Sequence, residues 1–397
     1  MKQKHSTFVL ITAVILTALI VFNATCIGTW KLFTARHQAG LDASSFGKLQ
    51  EISDIIANYY VVEDYDRDAL IEGAAAGMVA ALPDGWSHYM DAAAYTETSD
   101  PSTDDYVGIG VTAYYDETAG MILTRVYSGS PAQEAGLHSF DIITAVDGKD
   151  VIELGSDAAF GAIRGEEGTP VRLTILRTST GEALDIDVER RKIEDHELQY
   201  EILDGDVGYI RISSFSDKVD MQFAEAIEKL TKQGAKSLLF DVRFNPGGQL
   251  EVLQAMLDLL LPEGDIIHWT DKQGNTGKLT SDADCIKLPM AVLAHEYSYS
   301  AAEFFAAALQ EYKLAPVIGM QTTGKCYAQS LFPLSDGSAV AVSTITYTTP
   351  NGTSLGGVGI TPDYEVPLTY EQLAGFDLME SKDDPQVQKA LEVLKQQ

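Results

Sequence analysis

Basic residues are scarce in this chain. Lys and Arg number 28 against 58 Asp and Glu in 397 residues, a formal net charge of −30. Such a surface repels phosphate backbones and anionic headgroups, which excludes a nucleic-acid partner. Cysteine is nearly absent: Cys26, Cys285 and Cys326 cannot build a disulfide framework and fall at no metal-ligand spacing. Whether Cys285 and Cys326 pair stays open. The seven histidines form no His-x-x-x-His cluster, so the chain offers no metal site and calls for no cofactor. Repeats and low-complexity tracts are missing too. With 45% hydrophobic and 22% charged residues this is a globular rather than a disordered chain, and its length predicts two or three domains.

Charge is also missing locally. No charged side chain occurs from Ser6 to Trp30, and Phe8–Ile27 is a mostly apolar run of 20 residues, enough to cross a bilayer as a helix. Lys2 and Lys4 precede it, and Trp30 stands where an interfacial aromatic would. Lys2, Lys4, Lys31 and Arg36 meet no acid before Leu41, so −30 less these four positive charges leaves −34 on the remainder. The run reads as a retained anchor, or as a secretory signal cleaved near Ala24-Thr25-Cys26. The poor cleavage pattern and the length favour the anchor. Either way the body is expected outside the cytoplasm, tethered to the cell membrane by a single span or secreted after cleavage.

Beyond the run, Leu49, Ile52, Ile55 and Ile56 recur at helical spacing, and residues 46–81 read as largely helical up to the turn Leu82-Pro83-Asp84-Gly85. Thr96–Asp105 is polar and acidic, as in a linker. From Tyr106 to Arg190 short strands alternate with turns. From Gly208 onward, β-runs such as Ser237–Asp241 and Met290–Ala294 alternate with helical stretches such as Leu250–Leu261 and Ala301–Gln310, which predicts an α/β layer. Pro385–Lys395 reads as an amphipathic helix. The fold class is multidomain α/β. Its expected segments are 1–30 (tip and membrane helix or signal), 40–103 (helical), 104–190 (β-rich), 191–367 (α/β core) and 368–397 (helical tail). The helices in 46–81 and 385–395 would suit either a homodimer interface or intrachain packing.

Chemistry concentrates near the C-terminal half. Ser300 lies in Glu296-Tyr297-Ser298-Tyr299-Ser300-Ala301-Ala302-Glu303, Lys325 follows 25 residues later, and Gln329 follows Lys325 by 4. A hydroxyl is a weak nucleophile until a base takes its proton, and a neutral lysine is such a base. Its pKa must then fall from about 10.4 towards about 7–8, which burial supplies. Ser300 read alone is a helix N-cap for Ala301–Gln310. Ser298 is a rival nucleophile and His295 a rival base.

Two resemblances give these residues a context. Ser130-Pro131-Ala132-Gln133-Glu134-Ala135-Gly136-Leu137, followed by Asp141–Val151, resembles the signature of a PDZ domain. The upstream Val107-Gly108-Ile109-Gly110 resembles its carboxylate-binding loop, where backbone N–H groups converge on a peptide's C-terminus as the peptide adds as a strand. Phe140 stands where such domains usually have Gly. The larger resemblance is to the carboxy-terminal processing peptidases (tail-specific proteases). It rests on Leu82-Pro83-Asp84-Gly85-Trp86-Ser87-His88-Tyr89-Met90, Gly208–Phe215, Asp241-Val242-Arg243-Phe244-Asn245-Pro246-Gly247-Gly248, Thr346–Gly352 and Gly357–Asp363.

That resemblance implies a PDZ domain inserted before a crotonase-like α/β serine protease core that cuts proteins or peptides with free C-termini. Ser300 would be the nucleophile, Lys325 the general base and Gln329 the group orienting the lysine. The backbone of Ala301 with Gly247 or Gly248 would form the oxyanion hole. His295, Tyr297, Tyr299 and Cys326 depart from the family's usual Asn, Gly, Ala and Gly, and the tyrosines bear on substrate fit more than on chemistry. A non-catalytic PDZ adaptor on a degenerate core would not need Ser300, Lys325 and Gln329 together, and a ligand-binding protein on the same core would leave the PDZ domain unexplained.

Overall fold

Ser237–Asp241 and Met290–Ala294 are buried along their whole length, the pattern of strands covered on both faces. They are neighbours at the centre of a six-stranded sheet ordered Leu198–Leu203, Val207–Ile212, Ser237–Asp241, Met290–Ala294, Val317–Gly319, Tyr364–Glu365. The first pair is antiparallel and the rest are parallel. The computed structural model describes residues 46–62, 65–99, 107–116, 118–127, 129–193, 198–376 and 379–397. The chain divides into two units, Met1–Ile71 and Glu72–Gln397.

Of the first unit, the helix Gly47–Tyr59 is described, with Leu49, Ile52 and Ile55 exposed. The apolar run Phe8–Ile27 lies outside the described residues. Among those described, no helix is long and apolar enough to cross a membrane. The helical stretch expected over 46–81 is broken: Tyr60 turns extended, and a second helix starts at Arg67 and runs to Ala80. Asp66 starts that second helix, its carboxylate accepting the N–H groups of Asp68 and Ala69. The expected linker at Thr96–Asp105 is helical in its first part, since a helix spans Ala92–Ser99.

In the second unit, the helices Val219–Lys232, Leu250–Asp258 and Ala301–Glu311 pack on one side of the central sheet. Phe215, Phe223, Phe240 and Phe305 form the heart of that core. The helix Pro385–Leu394 covers the other face through Val387, Ala390, Leu391 and Leu394. It starts on a Pro at its first position, with Asp384 accepting from Gln386 and Val387 N–H. A second sheet carries the hairpin Gly264–Asp271 and Thr276–Ser281, and the long strand Ala339–Thr348 pairs with Tyr327–Pro333 and with His88–Met90. These strands have no strong apolar alternation, which is why the sequence does not announce them.

The β-rich segment forms an antiparallel sheet ordered Val111–Asp116, Gly120–Val126, Ile142–Val146, Pro170–Arg177, Glu182–Glu189 around Leu123, Ile143, Leu173 and Ile175. Phe140 takes φ +69°, the left-handed region that glycine ordinarily fills. Its ring stacks toward Tyr297 and Tyr370 of the α/β core. The strain of a non-glycine residue there is therefore set against packing that glycine could not make.

Candidate active site

Ser300 ends the connection from the strand Met290–Ala294 and begins the helix Ala301–Glu311, which is buried continuously from Ala301 to Leu309. Ser300 sits at φ 60°, ψ −126°, a costly conformation for a side-chain-bearing residue, of the kind that persists at functional sites. Gly247, at φ +97°, packs directly against it: a Cβ there would lie 2.7 Å from Ser300 Cβ. Only glycine fits.

The element presenting Gly247 is rigid for reasons written into Asp241–Gly248. Asp241 accepts from Arg243 Nε at 2.9 Å, from Arg243 Nη2 at 2.6 Å and from the Tyr209 hydroxyl at 2.6 Å. Arg243 Nη1 reaches Asp384 at 2.7 Å and Gln386 at 2.9 Å. Asp241, Arg243, Asp384 and Gln386 are all buried, and Tyr209 partly so. Burial opposes the charge on Asp241, but the guanidinium of Arg243 outweighs it and holds the carboxyl below the usual range. Asn245 then donates to Ile212 O at 2.8 Å and accepts Gly247 N–H at 2.7 Å, while its carbonyl accepts Tyr299 N–H. Gly247 N–H is thus committed to Asn245. Of the backbone groups expected to form an oxyanion hole, Ala301 and Gly248 carry N–H groups without a partner among the described residues.

One buried carboxylate joins the serine segment to the lysine segment. Glu303 Oε2 accepts Ser300 N–H at 3.0 Å and Lys325 N–H at 2.8 Å. Its Oε1 accepts the Thr322 hydroxyl at 2.5 Å and Gly324 N–H at 2.7 Å. Burial raises the Glu303 pKa and these donors pull against it. In the sequence Glu303 stands only as part of the motif around Ser300. Its signal is a position three residues after Ser300, the spacing of a reciprocal cap.

Lys325 is half-buried, and burial lowers its pKa. Its Nζ lies 4.5 Å from the centre of the Trp86 ring and 5.8 Å from that of Tyr299, close enough for attraction to both faces. Nζ makes no hydrogen bond to Ser300 or Gln329 among the described residues. Gln329, expected to orient the lysine, donates instead to Ser343 Oγ at 2.9 Å and to Tyr327 O at 3.4 Å. Trp86 was not singled out from the sequence either. Asp84 fixes it, accepting Trp86 N–H and Ser87 N–H at 2.9 Å and the Ser87 hydroxyl at 2.7 Å. Burial would raise the Asp84 pKa, but these hydrogen bonds prevail and hold it at about 2.

The rivals occupy structural places. Ser298 is fully buried, donating to Val242 O at 2.7 Å and accepting His295 N–H at 3.0 Å. His295 stacks on Phe244 at 4.9 Å and accepts Tyr297 N–H at Nδ1, 3.3 Å away. Burial, aided by Arg243, lowers its pKa to about 4. Cys285 and Cys326 are both free thiols.

In the β-rich domain, Val107–Gly108 pairs with Arg191–Lys192. The carbonyls of Ile109 and Gly110 accept from Ala132 and Tyr127 N–H at 2.9 and 3.1 Å. A Cβ on Gly110, at φ +77°, would meet Ser130 Cβ at 2.4 Å, so the Gly-x-Gly loop is tied to the start of the Ser130–Leu137 motif.

Three known families match parts of this chain. The family model for peptidase family S41 matches residues 206–366, that for a PDZ domain matches 122–177, and that for the N-terminal domain of the activating protease CtpB matches 27–94. The chain is similar to the carboxy-terminal processing protease CtpA of Bacillus subtilis, with 34% identity over 389 residues, 95% of this chain and 80% of that protein. It is 32% identical to the carboxy-terminal-processing protease of Bartonella bacilliformis over 354 residues, 85% of this chain and 79% of that one. Among solved structures, the photosystem II D1 C-terminal processing protease superposes with a TM-score of 0.63 at 25% identity, covering 81% of this chain and 88% of its own.

Proposed function

The chain belongs to peptidase family S41 as a serine-type carboxy-terminal processing protease with a PDZ domain, and from that membership we propose that it cuts with Ser300 as nucleophile and Lys325 as general base. The observation that carries this reading is the Glu303 carboxylate, which binds the backbone of both residues at 3.0 and 2.8 Å. A shared anchor fixes the two segments relative to each other whichever rotamer the lysine side chain takes. In the reactive arrangement Lys325 swings off Trp86, takes the Ser300 proton, and Ser300 Oγ attacks the scissile carbonyl. The oxyanion is received by Ala301 and Gly248 N–H. The lysine returns its proton to the leaving amine, and water then releases the acyl group through the same base. Gln329 holds the lysine in that orientation.

The PDZ loop Val107–Gly110 binds the free C-terminus of the protein substrate, and the body works outside the cytoplasm behind the N-terminal apolar run. The test is proteolysis of an unfolded protein bearing a free C-terminus, with Ser300→Ala as control, together with labelling of Ser300 by a fluorophosphonate. The distance of Lys325 from any hydrogen bond to Ser300 favours one other reading, a non-catalytic adaptor on the same core. Absence of both cleavage and labelling would select it.

A further inference from the structure

The turn that holds Asp84, Trp86 and Ser87 is far in sequence from Lys325, yet a chain of hydrogen bonds joins it to Gln329. His88 pairs with Ala341, which sets the turn beside Ser343 on the same long strand. The Ser87 hydroxyl donates to Asp84 Oδ2 at 2.7 Å and accepts Ser343 N–H at 3.0 Å. Burial pushes the Asp84 carboxyl up, but donors on Ser87, Trp86 and Ser343, the last through its hydroxyl, hold it at about 2. Across the strand pair Ser343 stands opposite Gln329, and its Oγ accepts from Gln329 Nε2 at 2.9 Å.

The polarity of that chain follows from its charged end. An ionised carboxylate only accepts, and a hydroxyl has a single proton. Ser343 therefore gives its proton to Asp84 and turns a lone pair to Gln329, which must answer with its NH₂ end. The second amide proton goes to Tyr327 O at 3.4 Å. With both protons placed, the carbonyl is the end of Gln329 left to meet Lys325. That is the useful end. A neutral amine has N–H groups besides its lone pair, and a carbonyl that accepts one of them leaves the lone pair for the Ser300 proton. A flipped amide would offer its NH₂ to that same lone pair, in competition with Ser300.

We propose that Asp84 is a positioning residue for the general base: through Ser343 it fixes the Gln329 amide with its oxygen toward Lys325. The same carboxylate holds the lysine's resting place, since it accepts Trp86 N–H at 2.9 Å and Lys325 Nζ lies 4.5 Å from the centre of that ring. The inference deepens the Ser300–Lys325 reading and rests on it for the lysine's role, although the set of the amide can be read without cleavage. Asp84→Asn is the informative variant. Trp86 N–H and Ser87 N–H both bind Oδ1, which asparagine keeps. Its NH₂ can donate to Ser343, whose proton is then free to turn to Gln329, and the amide can flip. Ser343→Ala cuts the chain at its middle and keeps the Ser343 N–H bond to Ser87.

In the full-length protein each variant should lower kcat on an unfolded substrate about tenfold, the scale of one hydrogen bond, with KM moved less than about twofold. Circular dichroism should not change. Combined with Gln329→Ala, Asp84→Asn should add less than about twofold to the loss, because it acts through Gln329. A second measurement needs no activity: hydrogen exchange of the Gln329 side-chain amide by NMR, its signal identified by its loss in Gln329→Ala. Exchange should be at least about tenfold faster in Asp84→Asn and in Ser343→Ala than in the unsubstituted chain. Losses that multiply in the double variant, an effect confined to KM, or an amide unmoved in both variants would each overturn the proposal. If the unsubstituted chain never cleaves but its Gln329 amide responds as expected, the protease reading fails and the control of Gln329 by Asp84 stands.

Discussion

The ammonium of Lys325 rests 4.5 Å from the centre of the Trp86 ring. Two effects on its protonation oppose each other there. Burial favours the neutral amine, whereas the ring's negative face favours the cation by about 0.5–2 kcal/mol. Trp86→Leu keeps the apolar surroundings and removes the ring, so the lysine should lose its proton more easily. The acid limb of kcat/KM should then move to lower pH. An unmoved limb would mean that the reacting enzyme does not hold this contact.

Ser300→Ala and Lys325→Ala should each abolish proteolysis, because in the proposed mechanism Ser300 gives up the proton that Lys325 accepts. Circular dichroism should be unchanged. Gln329→Ala should cost less, since in the proposed mechanism it orients the base without exchanging a proton. Full activity of Lys325→Ala would remove the lysine from the mechanism.

Glu303 gathers four donors on two oxygens, two of them the N–H groups of Ser300 and Lys325. Glu303→Gln keeps the size but replaces one acceptor oxygen by an NH₂ that faces donors. Hydrogen bonds to a charged group contribute about 1.5–3 kcal/mol each, so the variant should lose at least about 2 kcal/mol by denaturant unfolding. Activity should fall through kcat more than KM, because the segments carrying nucleophile and base are no longer fixed to each other. A larger effect on KM than on kcat would contradict that positioning role.

The fold and the candidate residues of this site were legible in the sequence, and what was not has a physical cause. The strands Ser237–Asp241 and Met290–Ala294 stand out because both faces of each are buried, leaving the apolar stretches Leu238–Phe240 and Met290–Ala294. The family resemblance, more than the spacing, names Ser300, Lys325 and Gln329 as the candidates. It cannot show rotamers, and so the parked lysine and the Gln329–Ser343 hydrogen bond emerge only in three dimensions. Trp86 reaches the lysine because His88–Met90 pairs with Ala339–Thr348, more than 200 residues away. No local pattern encodes that pairing. Of Gly247 and Gly248, the two alternative oxyanion donors, Gly247 gives its N–H to Asn245 two residues earlier, which the sequence does not reveal.

Arg243 ties the Pro-Gly-Gly element to the C-terminal helix through Asp241 and Asp384. Arg243→Met would leave both buried carboxylates without their cation. Breaking such a pair costs about 3–5 kcal/mol, measurable by urea unfolding. Activity should fall with stability, because the loop bearing Gly247 and Gly248 loses its support. A loss under about 1 kcal/mol would show that solvent or neighbouring groups replace the pair.

His295 decides between two bases and supplies its own pH signature. It is fully buried, its Nε2 has no partner among the described residues, and burial holds its pKa at about 4 against 6.5 for a free imidazole. The unfolded chain therefore binds a proton at this residue at higher pH than the folded one. Its contribution to stability is whole above about pH 6.5 and is lost as pH falls to about 4, by about 3 kcal/mol in total. In His295→Asn that part of the stability slope should vanish. The same variant should keep its activity and its acid limb, since the imidazole is stacked under Phe244 and stays neutral at any pH where a lysine base would function. Loss of both limb and activity would make His295 the base, and Lys325 would then be a bystander on the Trp86 ring.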